Sequence, residues 1–195
     1  PDGNILLAGY TYDSNTPSID FLIVQILPDG TPDPAFGTTG IATADFSEGF
    51  ESILSLALQA DGKIVAACGS YYNDYNMEVV RFDPDGTIDQ SFGNNGLFKF
   101  GLSNREEIAY SIAVQSDQKI VFCGTSFKNG STSGEATLFR LQVDGTFDTT
   151  FGTNGQVFTE LGMLEFARNL LLQPDGKIIV GVESSDPNNP EAGWF

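Results

Sequence analysis

The sequence predicts an all-β protein, a β-propeller built from four-stranded antiparallel blades. Three observations carry that expectation. The chain repeats itself with a period near 58 residues, its short β-prone runs are separated by Asp-Gly and Gly-rich turns, and no window holds an apolar stripe at helical spacing for three turns. Three markers recur together. Asp2-Gly3-Asn4, Asp61-Gly62-Lys63, Asp117-Gln118-Lys119 and Asp175-Gly176-Lys177 lie 59, 56 and 58 residues apart. Asp29-Gly30-Thr31, Asp85-Gly86-Thr87 and Asp144-Gly145-Thr146 are spaced 56 and 59. Phe36-Gly37, Phe92-Gly93 and Phe151-Gly152 keep the same two spacings, each followed three residues on by Gly40, Gly96 or Gly155. Markers that drift by the same small insertions describe one tandem array.

The second unit shows the elements in order. Ile53 to Gln59 is a short apolar run, Ala60-Asp61-Gly62 a turn, and Lys63 to Gly69 a second run. Asp-Gly between two β-prone segments is a strong hairpin signal, because glycine accepts positive φ without a Cβ clash. Met77 to Phe82 supplies a third strand, the stretch from Asp83 to Gly96 a long turn, and Leu97 to Phe100 a fourth strand. The segment Arg105 to Tyr110 is expected to make one helical turn at most. Four antiparallel strands per repeat is the pattern of a propeller blade, which buries too little alone and is stabilised by stacking on its neighbours. A β-solenoid fits less well, since its coils are shorter and lack two hairpin turns per repeat.

Composition narrows the function. With 195 residues, 9 Lys and Arg and 26 Asp and Glu, the net charge is −17. Such a polyanion is a poor partner for phosphate backbones and anionic membrane surfaces, so neither nucleic-acid binding nor membrane insertion is expected. No histidine is present, which removes Ser-His-Asp and Cys-His catalysis and imidazole metal ligation. A hydrophobic fraction of 41 % with 16 Phe marks a folded domain. No leader pattern follows Pro1 and no 18-residue apolar run occurs, so no targeting or spanning segment is expected. The acidity, the absence of histidine and the abundance of Gly, Asn and Thr lean toward an exported bacterial surface protein.

Taken together, the motifs resemble the bacterial delta-60 repeat (DUF5122-type) β-propeller domain. That pattern runs Q-x-D-G-K-I, then an apolar strand ending in Arg, then D-G-x-x-D-x-x-F-G-x-x-G. Gln59 to Ile64, Gln115 to Ile120 and Gln173 to Ile178 follow it, as do Arg81 with Asp89 and Arg140 with Asp148. Gln118 stands for the turn glycine and Gln25 for the first unit's arginine, departures expected to weaken single blades and leave the fold intact. The resemblance implies a propeller of large secreted or cell-surface proteins. The expected organisation is a single propeller segment with a partial blade at 1–46, full blades at 53–100 and 110–160, and a partial blade at 167–195. Its edge strands would then pair with remaining propeller blades or a neighbouring chain.

Candidate chemistry is sparse. Asp83, Asp85 and Asp89 fit a calcium loop of D-x-D-G-x-x-D type, but Leu27 and Gln142 replace the first Asp in the other units. Read instead as a turn, the aspartates cap backbone N–H groups. Arg81 with Asp89 and Arg140 with Asp148 are expected to form blade-stabilising ion pairs, and Lys63, Lys119 and Lys177 to be solvated hairpin residues. Cys68 and Cys123 are read as equivalent small core positions on neighbouring blades, too far apart for a disulfide. No cofactor is expected, calcium being the one candidate. No Asp-box, phosphate loop or nucleophile elbow occurs, so the chain is expected not to be an enzyme. The expected function is that of a non-catalytic interaction or display module, extracellular or on the cell surface. Its partner-binding loop would be Tyr71, Tyr72, Asn73, Asp74 and Tyr75, three tyrosines among polar residues facing a protein or glycan partner. The alternatives are a propeller hydrolase acting on carbohydrate and a calcium-stabilised adhesion module.

Overall fold

The computed structural model describes residues 3–13, 18–46, 51–70, 76–102, 105–128, 134–160 and 164–185. Among the described residues every regular element is a strand, and no helix is long and apolar enough to cross a membrane. The first sheet joins β1 (Ile5–Asp13), β2 (Ser18–Ile26) and β3 (Ile41–Ala44) in chain order. The second joins β4 (Glu51–Leu58), β5 (Ile64–Ser70), β6 (Asn76–Phe82) and β7 (Leu97–Phe100), each antiparallel to the next. The third contains β8 (Arg105–Val114), β9 (Ile120–Lys128), β10 (Gly134–Leu141) and β11 (Gln156–Thr159) in the same meander. The hairpin of β12 (Leu164–Leu172) and β13 (Ile178–Ser185) adjoins it through one parallel bridge, Gly134 to Leu164. This is a partial β-propeller. The first sheet supplies the equivalents of β5, β6 and β7, and the last hairpin those of β4 and β5.

The core lies between the sheets. Strand β5 alternates, so that Val65 and Ala67 face the third sheet's Ile120 and Phe122, while Ala66 and Cys68 face Phe21 and Ile23 of the first. A third cluster, with Val121, Cys123, Ala167 and Leu170, seals the last interface. Central strand β6 is buried along its whole length, which is why it reads as an apolar run without alternation.

The first strands of successive sheets touch one another, β4 against β8 and β8 against β12. Each carries a bulge that inserts one residue, Leu54, Tyr110 or Arg168. The serine after the bulge faces the neighbour, so the Ile112 N–H donates to Ser55 Oγ at 3.3 Å and the Leu170 N–H to Ser111 Oγ at 3.2 Å.

Arg105 to Tyr110, expected to make one helical turn at most, makes none and opens strand β8. The structure corrects one expectation about the strands. Cys68 and Cys123 are not equivalent: Cys123 corresponds to Ala67, one residue earlier in the strand. One residue reverses the direction of a strand side chain, so the two buried thiols lie on opposite faces of their sheets, in different clusters, and neither is in a disulfide.

Candidate functional site

The proposed partner loop, Tyr71, Tyr72, Asn73, Asp74 and Tyr75, lies outside the described residues. The charged groups singled out in the sequence converge at the other end of the sheets, where the Asp-Gly turns lie. In the second blade the long turn after β6 brings Asp89 back beside the strand that precedes it, because the Asp89 N–H donates to the Arg81 carbonyl at 3.0 Å. Arg81 Nε then meets Asp89 Oδ2 at 2.6 Å, and the guanidinium lies 4.6 Å above the Phe92 ring. Its Nη1 donates across the interface to the Val143 carbonyl of the third blade. Lys63 reaches the same carboxylate at 2.8 Å and Asp83 at 2.6 Å. The third blade repeats the arrangement: Arg140 and Lys119 meet Asp148 at 2.8 and 3.0 Å, with Arg140 4.4 Å from the Phe151 ring.

The arginine–aspartate pairs are thus where the motif spacing places them. Lys63 and Lys119 are not solvated hairpin residues; they close the same clusters with three quarters of each side chain buried. Lys177 is largely exposed and, among the described residues, pairs with Asp175 in the same turn. Burial alone would raise the Asp89 carboxyl, but hydrogen bonds from Lys63 and Ser91 and the Arg81 charge hold it well below the ordinary carboxylate range. Asp148 is held low by hydrogen bonding from Thr150 and Lys119 against the opposing effect of burial.

The Asp83-Asp85-Asp89 stretch is built as a turn. Asp85 Oδ1 accepts from the Thr87 N–H and hydroxyl at 2.9 and 2.6 Å, and Asp29 with Thr31 and Asp144 with Thr146 do the same. Asp83 accepts from Lys63, and Asp89 divides its oxygens between the cations and Ser91. Asp83 and Asp89 share the Lys63 ammonium while Asp85 is engaged by Thr87, and among the described residues no group of three acidic side chains is placed to hold a metal ion. In the motif that follows, a Cβ at Gly93 would fall on the Leu97 carbonyl and φ is +54°, so only glycine fits after Phe92.

A family described as a domain of unknown function (DUF5122) beta-propeller matches residues 1–36, 59–92, 115–151 and 173–193. The chain belongs to this propeller family. Three of the four matched stretches end at the phenylalanine of a Phe-Gly pair, so the matches at 59–92 and 115–151 enclose the complete Lys-Arg-Asp clusters. No curated protein matches the chain.

Within this DUF5122 propeller the first blade departs from the other two. Its backbone is the same, with the Gln25 N–H on the Gly40 carbonyl and the Asp33 N–H on the Gln25 carbonyl, both at 2.9 Å. Its cations are missing. Asn4 stands where Lys63 does and Gln25 where Arg81 does, and Asn4 Nδ2 donates to Asp33 at 3.4 Å. A cleft of about 290 Å³ opens there between the first two blades, walled by Asn4, Leu6 and Gln25 on one side and Leu58, Gly62 and Pro84 on the other. At the matching place between the second and third blades, Gln118 replaces Gly62. It holds φ of +67° and its Oε1 accepts from the Ala60 N–H at 2.8 Å, clamping one turn onto the next.

The opposite end carries a second charged group that motif reading missed. Glu107 is fully buried on β8, accepting from the Ser126 hydroxyl at 3.1 Å and the Leu102 N–H at 3.3 Å, and burial pushes its carboxyl upward. Arg105 meets Glu135 at 2.5 Å beside it. The signal was present, since Glu51, Glu107 and Glu165 keep the repeat spacing, but none of them belongs to a turn motif.

Proposed function

We propose that this propeller is a non-catalytic interaction or display module of an exported or cell-surface bacterial protein. The supporting observation is how the recurring charges are used. In both complete blades the repeated Arg, Lys and Asp residues bind one another or hold turns, with their carboxylates kept ionised as ion-pair partners. Groups engaged in this way hold blades together and are not poised to transfer protons. Recognition then falls to the segments that differ between repeats, with Tyr71, Tyr72 and Tyr75 as contacts for a protein or glycan partner. Ile5 and Leu7 on β1 and Ile179 on β13 are exposed on the faces opposite the packed Leu6 and Val180, and we assign these faces to further blades or a neighbouring chain.

The test is a glycan and surface-protein screen of the full-length protein with product analysis for every hit. Binding without turnover, lost when the three tyrosines become alanine, is the expected outcome. Turnover of a bound glycan would overturn the reading in favour of a hydrolase. A large drop in melting temperature with EDTA would instead make it a calcium-stabilised adhesion module. A compact, monodisperse monomer of this chain in the ultracentrifuge would refute the assignment of its exposed edges to other blades.

A further inference from the structure

We propose that Glu107 is a proton-uptake site through which the interface between the second and third blades becomes firmer as the medium turns acidic. Glu107 is fully buried on the face of β8 that meets the second sheet, in line with Ala109 and Ile112 of the shared core. Its two oxygens accept from groups that carry no charge. Oε1 takes the Ser126 hydroxyl of the adjacent strand at 3.1 Å, and Oε2 takes the Leu102 N–H at 3.3 Å, which belongs to the segment leaving the second blade. The carboxyl therefore joins the two blades in either protonation state, but when ionised it is a buried charge.

The cation beside it is spent elsewhere. Arg105, two residues earlier on β8, meets Glu135 of β10 through both Nη groups, at 2.5 and 3.3 Å. Arg105, Glu107 and Glu135 thus carry a net negative charge within an interface, and a proton on Glu107 brings the group to neutrality. Ser126 accommodates both states. Its hydroxyl donates to Glu107 and accepts from Arg105 Nη1 at 3.1 Å. On rotation it accepts from a protonated Glu107 and turns its own hydrogen toward Glu135, which stands directly opposite in register. The other neighbours do not compensate the charge. Strands β4, β5 and β6 present Ala57, Val65, Ala67, Met77 and Val79 to β8, while Lys63 and Arg81 are engaged with Asp89 at the far end. Lys128 of β9 stands opposite Arg105, Glu160 just past β11 adds a negative charge near Arg105, and β12, on the other face, carries Glu165 and Arg168. Glu51 and Glu165 stand opposite Ser70 and Ser184 as Glu107 does opposite Ser126, but Gly49 and Met163 replace Arg105, so this charge group belongs to one interface. Burial raises the Glu107 carboxyl against the hydrogen bonds from Leu102 and Ser126 and the Arg105 charge. A folded carboxyl raised above its unfolded value adds stability in acid and loses it as the pH rises through the folded pKa. Asp89 and Asp148 act in the opposite sense.

The test is a pH titration of the 13C-labelled chain, reading each glutamate carboxyl carbon by NMR. The Glu107 carbon is expected to titrate above the ordinary glutamate value of about 4.3; a midpoint at or below that value would overturn the proposal. Two variants check the network. Glu135→Gln releases the Arg105 charge toward Glu107, so the midpoint should fall, and Ser126→Ala removes a donor to the ionised form, so it should rise. A midpoint that stays in place or moves the other way in either variant would overturn the assignment. Thermal unfolding supplies the second arm. The melting temperature of Glu107→Gln, uncharged at every pH, should fall relative to the unaltered chain as the medium is taken from neutral to mildly acidic. A difference that stays constant over that range would overturn the claim that proton uptake firms the interface. The tyrosine loop takes no part, so each result leaves the proposed interaction role to its own test.

Discussion

Replacing Arg81 by glutamine reproduces in the second blade what the first blade carries, and its cost can be worked from the interactions that the arginine makes. Arg81 is 5 % exposed; it makes a 2.6 Å charged hydrogen bond to Asp89, a bond to the Val143 carbonyl of the next blade, and a stacking contact with Phe92. A hydrogen bond to a charged group contributes about 1.5–3 kcal/mol, and the cation over the ring adds about 0.5–1 kcal/mol. Leaving a buried charge wholly unpaired would cost about 3–5 kcal/mol, but Lys63 stays 2.8 Å from Asp89 and keeps it compensated. The expected loss is therefore about 3 kcal/mol, or roughly 6–12 °C in the melting temperature of a chain this size. Thermal unfolding followed by circular dichroism measures it. A double-mutant cycle with Asp89→Asn should return a coupling of about 1 kcal/mol or more. A shift under about 2 °C, or no coupling, would refute the claim that this cluster joins the blades.

Further expectations follow from the same geometry. Gly30 and Gly145 have nearly the same φ, +88° and +87°, in the same Asp-Gly-Thr turn, but a Cβ at Gly30 meets open space while one at Gly145 would lie 2.7 Å from the Gly93 nitrogen of the preceding blade. Alanine at Gly30 should cost about 1 kcal/mol of left-handed strain, and alanine at Gly145 clearly more; equal melting temperatures would remove the interface argument. Asp148 has a folded pKa below its unfolded value, so its contribution is full above about pH 4 and is lost as the pH falls further. The Asp148→Asn variant, less stable at neutral pH, should show a shallower acid slope between pH 4 and 2, and parallel slopes would contradict this. Burial pushes the Cys123 thiol up to about 12, and Cys68 is equally enclosed, so a thiol reagent at pH 8 should label neither until urea unfolds the chain.

How much was legible in the sequence follows from how local each interaction is. The Asp-Gly-Thr turns and the Phe-Gly pairs are set by contacts within a few residues, and their spacing located them. The Arg–Asp pairs span eight residues and could be read from the strand-and-turn pattern. Lys63 escaped because it reaches across 20 and 26 residues to Asp83 and Asp89, which requires the hairpin and the long turn to be folded first. The cysteines were misplaced by one residue, an error that a strand's alternation turns into opposite faces. The cleft could not be seen at all, since its walls come from two different repeats.

The first blade also shows which part of the motif builds the turn. Without Arg or Lys it keeps the same backbone bonds, the Leu27 N–H on the Thr31 carbonyl and the Phe36 N–H on the Asp33 carbonyl, that the second blade makes at Asp83 and Phe92. Its Asp29 still caps Thr31 and its Asp33 still caps Ala35. Aspartate caps and left-handed glycines are therefore enough to form the turn, and the cations are an addition laid over it. That separation is why Arg81→Gln should weaken an interface without unmaking a blade. Where the frame and the charge are independent, a repeat that lacks the charge still keeps its turn and its backbone bonds.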